Sequence, residues 1–513
     1  MKETAYNKSP TPNPAREIIR KGSVITLITI ISRPLGYIRE AIQAYLFGAT
    51  MLVDAFVVAF NFPELIQTLF FSGATSAFLI PVCARYLNDD REFSRVYSIF
   101  MNLAIIVTVF ISVVFFITSG FIVDIIAPGF NPATKTVTRY LFLIMIPVIL
   151  LHTILSVMKA FLNAREHFAS PEFSGILWNI VFIAAAVMLS KRYGIYSLAI
   201  GVTAGSVMQI LIQFPYLKKF NIRYIKTMSF SHPSVTEAKR LFTGAMIATS
   251  IVPINSFIGR IIASYLPHGE VASLSYAFRI FILPFSLFAV PIYTVMFSKL
   301  ARLYHDRDFK GIHAHISSSL VLLCITLIPS TILLCSIGDL TIRLLYQRGA
   351  FTPYDTLLTN RALFGYSIGL VFYALSICFV RIFNAMHDMK TPAIVGIISI
   401  LINAGLAIVL MNPLKNLGIS LATSISSFFN FSILFFYLRK RIDYRLSRHA
   451  IRDIIKSLVV GIALLLAIYL SRHMLATRPY TVLILSIVLT VLFYGISFKD
   501  YYRGLIKKKL DKA

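Results

Sequence analysis

The chain has 513 residues, of which 57% are hydrophobic and 14% are charged, and its formal net charge is +27. Soluble domains carry about 25% charged residues, so this composition excludes an ordinary soluble protein and favours a membrane protein. Lys and Arg lie mainly in short gaps between apolar stretches and in the C-terminal tail, which is typical of cytoplasmic loops and not of a nucleic-acid-binding surface.

Apolar stretches of about 20 residues or more recur along the whole chain, and each can form a membrane-spanning helix. The gaps after even-numbered stretches are rich in Lys and Arg, whereas the gap at 265–270 contains neither. With an even number of spans, this pattern predicts that both ends of the chain are cytoplasmic. Fourteen spans are predicted, at residues 22–47, 51–85, 96–126, 137–163, 171–190, 194–216, 235–264, 271–302, 313–337, 354–385, 391–411, 417–438, 453–471 and 479–497.

An internal repeat organises these spans. The stretch Leu162–Lys219 is similar to Phe383–Lys440, with Asn163 aligned to Asn384. We therefore predict an all-α integral membrane protein with two parallel six-helix repeats, an N-lobe and a C-lobe, around a central cavity, plus two C-terminal helices. The predicted boundaries are 1–21 for a cytoplasmic N-terminal segment, 22–220 for the N-lobe, 221–234 for a cytoplasmic linker, 235–440 for the C-lobe, 441–500 for the last two helices and 501–513 for a basic cytoplasmic tail.

Several ionisable residues lie inside the predicted spans. The arginines are Arg33 and Arg39 in the first span, Arg260 in the seventh and Arg279 in the eighth, and Asp54 is in the second. An arginine at the centre of a span costs about 2.5–3.5 kcal/mol if it faces lipid, so we expect these side chains to face a shared cationic cavity. Guanidinium groups bind phosphate bidentately, which predicts a phosphorylated or pyrophosphorylated ligand. The alternative is that each arginine extends to the membrane surface.

Other chemical motifs are weak. The sequence has no P-loop, no HExxH motif and no Cys/His cluster, so we expect a transporter that is not an enzyme and has no metal site or organic cofactor. His152 is expected to be a hydrogen-bonded contact between helices, for which the alternative is a proton relay. Asn384 and Asp388, one turn apart, form a candidate sodium site, for which the alternative interpretation is a helix cap.

The sequence resembles the MurJ/MviN family at motifs that occur in the same order along the predicted spans. The matching residues are Ser32–Glu40, Phe47–Gly48, Asp54–Phe56, Ala59–Phe60, Gly73–Ala74, Ala277, Arg279, Arg348–Thr352, Asp388 and Lys390–Pro392. This family belongs to the MOP superfamily and flips lipid II, the undecaprenyl-pyrophosphate-linked peptidoglycan precursor. By resemblance, Arg33, Arg39 and Arg279 match its cavity arginines, Asp54 matches its helix 2 aspartate and Arg260 matches a basic position found in part of the family. The resemblance also implies a groove, formed with the last two helices, that holds the polyprenyl tail.

The chain departs from the family pattern at five positions. Gln67 and Thr68 stand where many members carry arginine, and Ser72 replaces a common glutamate. Phe278 precedes Arg279 where aspartate is usual, and Ile282 replaces an acidic residue. The cavity is therefore expected to be less charged than in other members, which leaves the exact headgroup and the coupling mechanism open.

The resemblance implies a lipid II flippase of the bacterial inner membrane that works by alternating access in peptidoglycan and cell wall biogenesis and thereby supports cell shape. The expected partners are lipid II, membrane lipids and other cell-wall synthesis proteins, without nucleic acid. Coupling to the membrane potential, Na⁺ or H⁺ is expected. The alternatives are a flippase for another polyprenyl-pyrophosphate glycan, a non-transporting scaffold, or a multidrug/cation antiporter. The antiporter is disfavoured because arginines outnumber carboxylates inside the spans.

Overall fold

The computed structural model describes residues 14–69, 73–475, 477–499 and 501. Nineteen α-helices account for the regular structure of these residues, together with short π-helical turns. In chain order they are α1 (Pro14–Phe47), α2 (Met51–Gln67), α3 (Gly73–Ala84), α4 (Asp90–Ile117), α5 (Ser119–Ile126), α6 (Pro132–Ala164), α7 (Ala169–Tyr193), α8 (Tyr196–Leu211), α9 (Phe214–Lys219), α10 (Pro233–Ala263), α11 (Glu270–Pro284), α12 (Val290–His305), α13 (Phe309–Leu345), α14 (Pro353–Ile368), α15 (Leu370–Ala385), α16 (Lys390–Leu414), α17 (Asn416–Ile442), α18 (Arg448–Met474) and α19 (Pro479–Ser497).

The all-α prediction is confirmed, and each of the fourteen predicted spans coincides with one helix or with two consecutive helices. Five spans are divided. The second comprises α2 and α3, the third α4 and α5, the sixth α8 and α9, the eighth α11 and α12, and the tenth α14 and α15. The eighth is divided by a π-helical turn at Phe285–Ala289, directly after Pro284. The tenth bends by 48° at the break between α14 and α15.

Within the described residues, ten helices are long and apolar enough to cross a membrane, or eleven if the bent pair α14 and α15 is one span. The predicted spans 22–47, 51–85 and 235–264 are not among them. Those three contain Arg33, Arg39, Asp54 and Arg260. Four of the five candidate substrate-binding residues therefore lie on helices outside these ten stretches, and Arg279 lies within one of them.

The internal repeat is also present in the backbone conformation. Gly194, between α7 and α8, has φ 53° and ψ −134°, and Lys415, between α16 and α17, has φ 52° and ψ −130°. The same sequence offset relates Glu166 to His387, and both have φ 58°. Left-handed backbone is uncommon for residues other than glycine, so two such pairs at one offset confirm the repeat.

The helices pack into two compact units. The first packing unit comprises the described residues up to Gln43, Phe62–Ile122 and Arg139–Thr249, and the second comprises Ala44–Asn61, Val123–Thr138 and the described residues from Ser250 onward. The core of the first includes Phe93 and Phe161, whose rings are 5.1 Å apart. The N-lobe and C-lobe boundaries follow the sequence repeat instead, and they stay a prediction.

The last two helices belong to the second packing unit, where they pack on α13. Leu464 and Ile468 of α18 are fully buried in a cluster that includes residues of α13 and α19. Tyr494 of α19 donates a hydrogen bond of 2.7 Å to the carbonyl oxygen of Ser457 on α18. Arg472 of α18 forms a bidentate pair with Asp339 of α13 at 3.0 and 2.8 Å. These contacts fix α18 and α19 against α13.

Close helix packing at Gly369 generates a first prediction. A Cβ atom at Gly369 would lie 2.5 Å from the Cα atom of Ser424 on α17, whereas a Cβ atom at Gly405 would have no neighbour within 4 Å. Gly369→Leu should therefore lower the free energy of unfolding by about 1–3 kcal/mol through overpacking, with a lower melting temperature in detergent. The matched variant Gly405→Leu should melt close to wild type, and equal losses in both variants would contradict this assignment.

Candidate functional site

Arg39 is held on α1 by contacts within the first packing unit. Its Nη2 atom lies 2.6 Å from Oε1 of Glu40, and its side chain is 13% exposed. The guanidinium also lies over two rings of α7, at 4.9 Å from the centre of Trp178 and 5.5 Å from that of Phe182. Arg33 lies earlier on α1 with an exposed side chain. The structure therefore restrains Arg39 closely and leaves Arg33 accessible.

Gln67 forms a contact between helices in the same unit. Oε1 of Gln67, at the end of α2, lies 2.7 Å from Nδ1 of His152 on α6. Nε2 of His152 lies 2.9 Å from the hydroxyl group of Ser206 on α8. Both ring nitrogens therefore have partners, which confirms His152 as a hydrogen-bonded helix contact and shows that Gln67 links α2 to α6. Ser72 lies outside the described residues.

Asp54 caps a helix in the second packing unit. One carboxylate oxygen accepts a hydrogen bond of 2.6 Å from the amide of Gly269, and the other accepts one of 2.7 Å from the amide of Ala272. These amides are at the start of α11, where the helix dipole favours negative charge. Asp54 is 1% exposed. The carboxylate thus connects α2 to the N-terminus of α11.

Backbone contacts surround this cap. The amide of Ala350 donates to the carbonyl oxygen of Tyr45 at 2.8 Å, and the Tyr276 hydroxyl donates to the carbonyl oxygen of Gly48 at 3.1 Å. Gly269 has φ 85°, and a Cβ atom there would lie 2.3 Å from the carbonyl oxygen of Ala49. We name these residues with Asp54 the turn-contact cluster: Tyr45, Gly48, Ala49, Asp54, Gly269, Ala272, Tyr276 and Ala350. The cluster fastens the connection between α1 and α2 to α11 and to the loop after α13.

Arg260 lies at a polar cavity inside the second packing unit. Its guanidinium donates to Oδ1 of Asn61 on α2. The amide of Asn403 donates to Oδ1 of Asn255 at 2.8 Å. The cavity encloses about 70 Å³, enough for several waters. Its lining is rich in hydroxyl and amide groups and includes Asn255, Ser256, Arg260, Ser275, Phe278, Tyr366, Tyr373, Asn403 and Thr423.

Phe278 and Arg279 are neighbours on α11, but their side chains have different surroundings. The Phe278 ring packs at 5.5 Å from Tyr366 and 5.6 Å from Phe281, so Phe278 belongs to an aromatic cluster. The Arg279 side chain is exposed. Of the predicted site residues in this unit, Arg260 borders the polar cavity, Asp54 lies in the turn-contact cluster and Arg279 is on an accessible surface of α11.

Asp388, in the candidate cation site, caps α16. Its carboxylate accepts from the amide of Thr391 at 3.0 Å and from the Thr391 hydroxyl at 2.8 Å, and it also accepts from the Arg441 guanidinium. Burial raises the pKa of Asp388, but the Thr391 hydrogen bonds and the Arg441 charge outweigh burial, so the pKa lies below its usual value. A cation here would have to displace Arg441. The described residues contain no cluster of three or more His, Cys, Asp or Glu suited to a metal.

The Asp54 cap generates a second prediction. Asp54→Ala removes two charge-assisted hydrogen bonds at a helix N-terminus, which should cost about 0.5–2 kcal/mol and loosen the turn-contact cluster. Ala49 is 6% exposed in that cluster. Maleimide labelling of Ala49→Cys in the purified protein should therefore become about fivefold faster or more when Asp54→Ala is added.

Asp124 offers the matched control. It pairs with Lys135 at 2.7 Å, but its side chain is 62% exposed, and exposed pairs contribute only about 0–1 kcal/mol. Asp124→Ala should leave the labelling rate of Ala49→Cys unchanged. If Asp54→Ala also leaves it unchanged, the cap does not hold the cluster together.

Comparison with known proteins gives a consistent assignment. The family model for the lipid II flippase MurJ matches residues 43–491. The probable lipid II flippase MurJ of Buchnera aphidicola subsp. Acyrthosiphon pisum is 30% identical over 92% of this chain and 93% of its own. The lipid II flippase MurJ of Burkholderia cenocepacia is 31% identical over 86% and 87%, respectively.

Solved structures agree with this relationship. A lipid II flippase MurJ in an inward closed conformation superposes with a TM-score of 0.81 at 28% identity, covering 94% of this chain and 99% of its own. A multidrug resistance MATE transporter of the MOP superfamily has a TM-score of 0.70 at 14% identity, covering 80% and 94%, which shows a shared fold alone. Because the family model covers most of the sequence, the chain belongs to the MurJ family of lipid II flippases.

Proposed function

We propose that this chain moves lipid II from the inner to the outer leaflet of the bacterial inner membrane by alternating access. The observation that carries the proposal is the family match over residues 43–491, joined to arginines inside predicted membrane-spanning stretches. The chain is a multi-pass transporter and not an enzyme, and its role is in peptidoglycan and cell wall biogenesis. Both chain termini are proposed to be cytoplasmic, from the distribution of Lys and Arg.

The arginines are proposed to bind the pyrophosphate of the substrate. Arg33 and Arg279 have exposed side chains, Arg39 is restrained by Glu40 and Trp178, and Arg260 borders a polar cavity. Guanidinium groups present planar donors that match phosphate oxygens. Hydroxyl and amide groups in the lining of that cavity are suited to the sugar and peptide parts of a headgroup.

The turn-contact cluster is proposed to close the outer side of the protein. The connections after odd-numbered spans are expected outside, and the cluster joins the connection between α1 and α2 to the start of α11. Alternating access would then require Asp54 to leave the amides of α11, so Asp54 is proposed to act as a gate residue that responds to substrate.

The membrane potential is proposed to reset the empty transporter. Moving one charge across the membrane is worth about 2.3 kcal/mol per 100 mV, so an arginine-rich protein can be driven electrically. Sodium coupling through Asn384 and Asp388 is less favoured because Arg441 already pairs with Asp388. A flippase for another polyprenyl-pyrophosphate glycan would use the same arginine chemistry, and substrate tests distinguish it. Other cell-wall synthesis proteins are proposed as partners.

Removing Arg279 should abolish transport if the pyrophosphate binds to it. In cells depleted of this protein, lipid II exposure on the outer leaflet should be restored by wild type, weakly by Arg279→Lys and not by Arg279→Ala, because lysine keeps the charge but loses the bidentate geometry. Arg192→Ala removes an exposed arginine at the end of α7 and should restore exposure fully. If cells with stably expressed Arg279→Ala show normal lipid II exposure on the outer leaflet, Arg279 is not needed to bind the pyrophosphate.

The coupling proposal has its own test. In proteoliposomes loaded with lipid II, dissipating the membrane potential should slow flipping severalfold, whereas replacing Na⁺ by K⁺ or introducing Asp388→Asn should change the rate by less than about twofold if Asp388 only caps a helix. A sodium requirement that Asp388→Asn removes would favour the cation site instead. The melting temperature of Asp388→Asn serves as the control for folding.

A further inference from the structure

Trp178 is the only tryptophan in the chain. Its ring faces Arg39, a candidate substrate-binding residue. The Arg39 guanidinium carbon lies 4.9 Å from the centre of the Trp178 ring and 5.5 Å from that of Phe182. The two rings, one helical turn apart on α7, stack at 5.6 Å with an interplanar angle of 29°. Tryptophan is the best cation–π partner, and the attraction grows when the pair is desolvated. We name Trp178 and Phe182 the aromatic platform.

Two glycines on the neighbouring helix make room for this platform. A Cβ atom at Gly205 of α8 would lie 2.8 Å from Cδ1 of Trp178, and one at Gly201 would lie 3.2 Å from the Cα atom of Phe182. Gly201 and Gly205 are one turn apart, as are the two rings, so each aromatic residue lies opposite a glycine. Small residues at this spacing allow close approach of membrane helices. The platform therefore has a fixed position against α8.

This arrangement restrains Arg39 in a way that suits phosphate binding. A guanidinium has five N–H donors in its plane, and a ring face attracts the cation without using those donors. The carboxylate of Glu40 takes up an N–H group on Nη2 at 2.6 Å. The two kinds of contact orient the guanidinium plane while leaving donor geometry that a phosphate can engage.

We propose that Trp178 and Phe182 are positioning residues that orient Arg39 toward the phosphate of the substrate, and that Gly201 and Gly205 provide the space they need. This inference rests on the proposed function, because it assigns Arg39 to the pyrophosphate of lipid II. It adds residues of α7 and α8 to a site that sequence motifs place on α1, α2, α10 and α11.

The single tryptophan provides the test. Adding lipid II to the purified wild-type protein should change Trp178 emission, because phosphate binding alters the charge and position of Arg39 beside the ring. Binding of radiolabelled lipid II is measured in the same samples. Arg39→Ala should remove the emission change. Trp178→Leu should weaken lipid II binding about 5- to 30-fold, as expected from loss of a desolvated cation–π contact, and Trp178→Phe should restore most of the affinity.

A matched control is available on the same helix. Arg192 lies 5.4 Å from the Tyr193 ring at the exposed end of α7. Tyr193→Leu therefore removes a cation–π contact on α7 that does not involve Arg39. It should leave the affinity for lipid II unchanged. In flipping assays, Trp178→Leu should raise the lipid II concentration needed for half-maximal rate more than it lowers the maximal rate, whereas a merely structural defect would reduce the amount of active protein.

The outcomes separate this inference from the proposed function. If radiolabelled lipid II binds to wild type while Trp178 emission stays constant, the inference is overturned and the proposed function stands. Equal affinities for wild type and Trp178→Leu would overturn it as well. If lipid II does not bind to wild type, the proposed function itself fails. The emission measurement uses wild-type protein, so it decides the matter even if Trp178→Leu does not fold.

Discussion

Asp54 is a carboxylate that is 1% exposed in a chain composed mainly of apolar helices, and the first amides of α11 stabilise it. Burial of an uncompensated charge is expensive, so the position of α2 relative to the start of α11 is constrained by this contact. The left-handed glycine at 269 allows the chain to approach Ala49 closely at the same place. One electrostatic requirement therefore determines how the connection between α1 and α2 packs, and the hydrogen bonds of Tyr45 and Gly48 depend on that packing.

The fold could be predicted largely from local properties of the sequence. Hydropathy is a property of single stretches, and each of the fourteen predicted stretches is helical, while similar motifs revealed the repeat that Gly194 and Lys415 share in their backbone angles. The breaks within spans and the packing units depend on contacts between distant residues. For this reason the assignment of 44–61 and 123–138 to the second packing unit has no signal in hydropathy or in the repeat.

The candidate site could be predicted only in part, because charge inside a span is conspicuous and uncharged partners are not. Arg39, Asp54, Arg260 and Arg279 could be identified from their cost in an apolar helix. In the sequence, Trp178 cannot be distinguished from an ordinary packing residue. Its contact with Arg39 is seen only in the structure. The signal that could have directed attention to it is the glycine spacing of α8, which predicts close approach by a neighbouring helix. Gln67 likewise gains meaning only through its contact with His152.

The two sequence repeats use different side chains to accept a hydrogen bond at the start of the equivalent helices, α7 and α16. In the second half, Asp388 accepts the Thr391 amide and pairs with Arg441. At the equivalent place in the first half, Nε2 of His167 accepts the Ser170 amide at 3.3 Å, and its ring stacks on Tyr216 at 4.7 Å. Burial and the charge of Lys219 lower the pKa of His167, which keeps the ring neutral and able to accept. Because a neutral imidazole supports the same cap, what the two halves share is a hydrogen-bond acceptor at this position, and a bound cation is not required to explain Asp388.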